Sequence, residues 1–221
     1  ATGVPLAKCA ARIMAGEKLA DLNLPADDRE FDYFCVKEAV MPFGRFPGSD
    51  VVLGPEMKST GEVMGIAGNL PAAFTKTQLA IDYEPPRGGE VFISVNDGDK
   101  RNITAIARSI ARLVFSLVAT TGTARALRAS GIECEEVGKI HAGSHTILDR
   151  IASGEIVLMI NTPFGSSTNT DGYEMRAACV RHGVSYCTTL AGAQALIAGM
   201  EAVRETGLDV IALQDLPQWE G

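Results

Sequence analysis

The chain has 221 residues, 46% hydrophobic and 21% charged, with 20 lysines and arginines against 27 aspartates and glutamates for a net charge of −7. That balance suits a folded globular protein of one large domain or two small ones, and the acidic surplus argues against a nucleic-acid surface. No apolar run reaches the roughly 20 residues that span a bilayer, and Cys9, Cys35, Cys134, Cys179 and Cys187 form neither a C-x-x-C pair nor a disulfide framework, so a reduced, cytoplasmic protein is expected.

Ala1 has no methionine before it, and a helical pattern begins at once, as expected for a piece of something longer. Leu6, Cys9, Ala10, Ile13 and Met14 recur at helical spacing and predict a helix over about 3–20. Thr2 reads as its N-cap and Pro5 as part of its first turn. A strand is predicted over about 33–41. The following stretch, "PFGRFPGSDVVLGPEMKSTGEVMG", holds five glycines and three prolines and reads as a loop. A helix is predicted over about 71–82. Residues 1–82 alternate too little to promise a core of their own. At 83–90, "YEPPRGGE" breaks both helix and strand and marks a boundary.

Beyond the boundary the pattern turns regular. Strands are predicted at 90–95, 115–120, 133–137 and 155–161, at "VSYC", and last at 209–213. Between them lie helical patterns, three of which end at Gly131, Gly154 and Gly183. Apolar strands alternating with amphipathic helices predict an α/β fold, a doubly wound parallel sheet covered on both faces.

Ligands of such sheets collect beyond the carboxyl ends of the strands, where helix N-termini favour anions. In this sequence those ends carry "NDGDK" with Lys100, "TTGT" at 120–123, "GKIH" with Lys139, "NTPFGSSTNT" from Asn161, and Thr188 with Thr189. Residues 86–221 contain ten arginines but only two lysines, Lys100 and Lys139, both in such loops. Helix capping would account for one threonine per loop, but not for three in four positions. Short hydroxyls, backbone amides and two ammonium groups predict an anion site. The pair His141 and His145, with Gly143 between and no further ligand, does not make a metal site. There is no G-x-x-x-x-G-K-[ST] loop and no G-x-S-x-G elbow. Trp219 lies near the chain end and reads as part of a tail.

The runs "LGPEMKSTGEVMGI", "SVNDGDK", "ATTGTA", "GKIHAGSHTILDRIASGE", "INTPFG" and "CTTLAGAQA" resemble the C-terminal part of the carbamoyl-phosphate synthetase large subunit, across nearly the whole chain. The resemblance implies that residues 1–84 are the C-terminal segment of an incomplete ATP-grasp domain. It implies that 88–221 are a methylglyoxal-synthase-like allosteric domain. The family makes carbamoyl phosphate from glutamine or ammonia, bicarbonate and ATP, for pyrimidine and arginine synthesis. Its ATP, with Mg or Mn, belongs to the full-length subunit, and its partners are the rest of that subunit and a glutaminase small subunit. No cofactor, metal or catalytic residue is expected in this part, which is expected to be inactive alone and is compatible with oligomerisation. The effectors implied are UMP, in some members IMP, and ornithine. By position, the nucleotide phosphate would meet Ser94, Lys100, Thr120, Gly122, Thr123, Lys139 and Asn161, and ornithine would meet Glu38, Tyr186 and Thr188. Pro163 replaces a threonine of several bacterial members, and "SSTNTDGYEMRA" replaces a more basic segment, leaving Arg176. Members controlled by N-acetylglutamate lack the "TTGT" and lysine combination. The alternative is a free-standing lyase acting on a small phosphorylated substrate. That reaction needs a carboxylate base, for which Asp171 is the only acid expected nearby.

Overall fold

The computed structural model describes residues 3–25, 30–45, 51–52, 59–138, 146–163 and 170–215. Its first helix, α1 (Leu6–Met14), is shorter than predicted. Pro5 sits at the N-cap without a side-chain cap, and the helix ends before Gly16, whose φ is +103°. The rest of the predicted helix is a separate 3-10 turn at Leu19–Leu22. Thr2 lies outside the described residues.

Strand β1 (Phe34–Val40) pairs antiparallel with β2 (Gly61–Ala67), at the end of the stretch predicted as a loop. Two glycines and a glutamate in "GEVMGIA" hide the strand from its pattern. Gly65 has a packing reason: a Cβ there would lie 2.0 Å from the carbonyl oxygen of Ala73. That carbonyl belongs to α2 (Leu70–Ala80), which Asn69 caps by accepting a hydrogen bond from the Ala72 amide at 2.9 Å. A small apolar cluster of Ala67, Ala72 and Ala73, with Val36 and Leu208 against it, forms where β2 meets α2.

Residues 90–206 form the larger unit. Strands β3 (Glu90–Ser94), β4 (Ser116–Thr120), β5 (Glu135–Val137), β6 (Ile156–Asn161) and β7 (Ser185–Cys187) make one parallel sheet in the order β5-β4-β3-β6-β7. The chain winds outward from β3 to β5, then crosses back to β6. The doubly wound prediction is thereby observed, with its switch point between β3 and β6. Helices α3 (Ile103–Arg112), α4 (Thr121–Ala129) and α7 (Leu190–Thr206) supply Ile103, Ile110, Leu127 and Ile197 to a core on one face, with Val91, Ile93 and Ile160. Helices α5 (Ile147–Ala152) and α6 (Thr170–His182) cover the other face, where Phe92, Val118 and Met159 meet Ile151, Met175 and Cys179. Alternate residues of β3 thus serve opposite cores, as the period of two in a strand requires. The predicted strand at 209–213 is not formed. This segment carries Leu208 into the small cluster and Asp209 to Lys76, leaving Val210 exposed.

The amino ends of the strands are tied by Arg150 on α5. Its guanidinium donates to Glu135 Oε1 at 2.7 Å and from Nε to Glu90 Oε2 at 3.1 Å, and Glu155 lies 3.5 Å away. The hydrogen bond it donates to Glu135, then that to Glu90, raises the affinity of this arginine for its proton against the cost of burial. Arg150 is 5% exposed, so its loss removes bonds that water replaces poorly. Arg150→Ala is expected to lower the urea midpoint by an amount equivalent to about 1.5–3 kcal/mol, the range for hydrogen bonds to charged groups. The slope should not change.

A cleft at the carboxyl edge of the sheet

The carboxyl ends of β3, β4 and β6 open on one cleft of about 400 Å³, at the switch point where open parallel sheets bind ligands. Ser94, Asn96 and Asp97 line it after β3, Thr120, Thr121 and Gly122 after β4, and Asn161, Thr162 and Pro163 after β6. Asp171, Gly172, Met175 and Arg176 close it from α6. Val137, Ile147, Phe92 and Met175 give the cleft apolar walls.

The hydroxyls of Ser94 and Thr120 stand at its polar end, with that of Thr123 behind them. Thr120 Oγ1 lies 3.4 Å from Ser94 Oγ and 3.3 Å from Thr123 Oγ1. Thr120 stands at the N-cap of α4, yet its side chain makes no capping hydrogen bond. Its hydroxyl is therefore left at the cleft wall rather than folded over the helix end. The first N–H groups of α4 are the ones helical geometry leaves unpaired, and they carry the positive end of the helix dipole.

Lys100 follows from the turn after β3. A Cβ on Gly122 would lie 2.9 Å from Lys100 Nζ. Gly122 thus makes room for the ammonium group against the first turn of α4, where the sequence expectation had been room for a phosphate. Lys100 Nζ also pairs with Asp97 Oδ1. Asp97 is a second carboxylate at the cleft, beside the one expected, Asp171.

Thr123 differs from its expected place. It is 1% exposed, and its Oγ1 accepts a hydrogen bond from the Val95 amide at 3.2 Å. Its hydroxyl sits behind the cleft, joining α4 to the end of β3. Two residues absent from the expected set do similar work. Thr162 Oγ1 accepts from the Asn96 amide at 3.0 Å and from Asn96 Nδ2 at 3.1 Å, and Asn96 Oδ1 accepts from the Asp99 amide at 3.1 Å. The dipeptides N-D and D-G at 96–98 were the available signal for this turn. Thr121 adds to the electrostatics: its hydroxyl, then Arg128, hold the Glu136 carboxyl below the usual carboxylate range. Replacing Thr123 by alanine orphans the buried Val95 N–H. A loss of about 1–3 kcal/mol in stability is expected, read as a lower melting temperature.

Asn161 is buried at the end of β6; its Nδ2 donates to the Ser94 carbonyl at 3.1 Å. Lys139, His141, His145 and Trp219 lie outside the described residues. Of the three residues expected for ornithine, Glu38 lies on β1, Tyr186 on β7 and Thr188 just after it. Glu38 accepts hydrogen bonds from Thr77 Oγ1 and Gln78 Nε2 on α2, both at 2.5 Å. The Tyr186 ring packs with the α5–α6 cluster, whereas α2 packs on α7 across the other face of the sheet. Thr188 follows β7, and its neighbour Thr189 caps α7 by accepting from the Gly192 amide at 3.1 Å. Among the described residues no cluster of histidine, cysteine and carboxylate side chains suits a metal ion, and no helix is long and apolar enough to cross a membrane.

The family model described as "MGS-like domain" matches residues 102–188. The chain is 46% identical over 215 residues to "Carbamoyl phosphate synthase large chain" of Myxococcus xanthus, covering 97% of this chain and 20% of that one. It is 47% identical to the protein of the same description from Methanothermobacter thermautotrophicus, covering 100% of this chain and 20% of that one. To "Carbamoyl phosphate synthase large chain, C-terminal section" of Methanopyrus kandleri it is 48% identical, covering 98% of this chain and 41% of that one. It therefore spans a fifth to two fifths of the length of these relatives.

Proposed function

The chain belongs to the carbamoyl phosphate synthase large-chain family and carries its MGS-like domain, and from that membership we propose that it is the family's regulatory C-terminal region, binding a nucleoside monophosphate in the cleft at the carboxyl edge of the sheet. The observation that carries this reading is the seat of Lys100 Nζ against Gly122 at the first turn of α4, beside the hydroxyls of Thr120 and Ser94. A phosphate placed there meets unpaired helix N–H groups, a hydroxyl and an ammonium ion together. The apolar walls of Val137, Ile147 and Met175 suit the flat face of a base. UMP is the proposed effector, with IMP sharing the same phosphate contacts, and Lys139 is proposed as the second cation.

The larger process is proposed on the same footing. The effector would control carbamoyl phosphate synthesis from glutamine or ammonia, bicarbonate and ATP, carried out with the rest of the large subunit and a glutaminase small subunit, for pyrimidine and arginine synthesis. ATP and its divalent ion belong to that assembly. Residues 1–84 are proposed as the end of an ATP-grasp domain and 88–221 as the allosteric domain, working in the cytoplasm. Glu38, Tyr186 and Thr188 are proposed as contacts of ornithine.

Isothermal titration with UMP, IMP, ornithine and N-acetylglutamate tests the assignment. UMP or IMP should bind with one site per chain; binding of N-acetylglutamate alone would overturn it. The lyase reading has one observation in its favour, the carboxylates of Asp97 and Asp171 at the cleft. Asp97, however, is paired with Lys100. Formation of methylglyoxal from dihydroxyacetone phosphate would establish the lyase instead.

A further inference from the structure

The floor of the cleft contains a buried arginine that the phosphate contacts do not use. Arg176, on α6, is 5% exposed and donates from NH1 to Asn161 Oδ1 at 2.8 Å. An arginine can only donate, so this contact fixes which end of the Asn161 amide faces it. The other end, Nδ2, then donates to the Ser94 carbonyl. An amide nitrogen has two N–H groups, and Asn161 lines the cleft. With one N–H on Ser94 and the oxygen on Arg176, the second N–H is the group the amide offers to a ligand.

Gly172 makes the arrangement sterically possible. A Cβ there would lie 2.9 Å from Arg176 NH1 and 3.5 Å from Asn161 Oδ1. Its φ is not in the left-handed region, so the backbone does not ask for glycine; the guanidinium does. A helix interior ordinarily favours alanine over glycine.

We infer that Arg176 is a positioning residue: it locks the Asn161 amide with its nitrogen toward the cleft, so that the site presents a donor and selects ligands carrying an acceptor, such as a phosphate or a nucleoside carbonyl. The inference rests on the nucleotide-site reading above. It assigns Arg176 no direct contact with the ligand, and that makes it testable by a thermodynamic cycle. Residues acting through one another give non-additive effects, whereas independent contacts add.

The experiment titrates the 221-residue chain with UMP as Asn161→Ala, Arg176→Met and the double variant. Each single change should weaken UMP binding by about tenfold, the size of one lost hydrogen bond to a charged group. The double variant should bind no more weakly than Asn161→Ala alone. Gly172→Ala gives a second route that does not remove the buried charge. It should displace the guanidinium and weaken UMP binding only while Asn161 is present. A double variant whose loss is the product of the two single losses would overturn the inference, since Arg176 would then touch the ligand or act by charge alone. So would unchanged affinity in both Arg176→Met and Gly172→Ala when Asn161→Ala weakens binding. Unchanged affinity in Asn161→Ala and Lys100→Ala alike would overturn the nucleotide site itself, and the inference with it.

Discussion

Lys100→Ala is expected to weaken UMP binding by about tenfold to a hundredfold. A hydrogen bond between charged groups contributes about 1.5–3 kcal/mol, and each ~1.4 kcal/mol is a factor of ten. The geometry says why this lysine matters more than a surface cation would. Its ammonium group lies against the first turn of α4 in the space that Gly122 leaves, so that it and the positive end of the helix dipole act on one anion together. Lys100 pairs with Asp97, whose carboxylate competes with a phosphate for the ammonium group, so Asp97→Asn should strengthen UMP binding where Lys100→Ala weakens it. Replacing the exposed Lys37 of β1 by alanine changes the net charge of −7 by the same amount as Lys100→Ala and should leave UMP affinity unchanged, which separates this site from bulk electrostatics. Titration calorimetry of these variants with UMP and with orthophosphate is the check. Equal affinity in wild type and Lys100→Ala removes Lys100 from the site.

Gly199→Val is expected to part the two units of the chain. Helix α7 passes α2 so closely that a Cβ at Gly199 would lie 2.3 Å from Thr75 Oγ1 and 3.3 Å from the Pro71 carbonyl. Thr75 is 2% exposed and cannot swing out to water; its hydroxyl bonds the Pro71 carbonyl at 3.0 Å. Overpacking a tight contact typically costs about 1–3 kcal/mol, and here that cost falls on the smaller unit, where Ala67, Ala72 and Ala73 cluster. Hydrogen exchange should show early loss of protection in β1, β2 and α2 while the amides of β3, β4 and β6 stay protected. Equal loss across both units would mean that the boundary proposed at 84–88 is not a boundary of folding.

The sequence reveals the larger unit far better than the smaller one, for a physical reason. Strands buried on both faces must be continuously apolar, so "EVFIS" and "IVLMIN" announce themselves, and the turn glycines at 131, 154 and 183 adopt the positive φ that ends a helix. β2 is written for its neighbour instead: Gly65 exists to admit the Ala73 carbonyl, and that need erases the alternation by which a strand is read. The segment at 209–213 fails in the opposite sense. Its β-branched residues suit a strand, but it lies across α2 and β2, held by Leu208 and by Asp209 on Lys76. The candidate site was legible as a set of loops and not as a set of contacts. "TTGT" and Lys100 mark the right edge of the sheet, while nothing in their spacing says that Thr120 faces the cleft and Thr123 faces Val95. Arg176 is quieter still, one arginine among several on a helix, until burial and the bond to Asn161 single it out.

The proposed role requires the cleft to recognise a phosphate attached to a nucleoside, and calorimetric titration of the chain with UMP, uridine and orthophosphate under one buffer is the direct test. A saturable UMP isotherm is expected, with weaker binding of orthophosphate in competition with it and no detectable binding of uridine. Uridine binding as tightly as UMP, or UMP giving no saturable heat while the chain is folded, would contradict it.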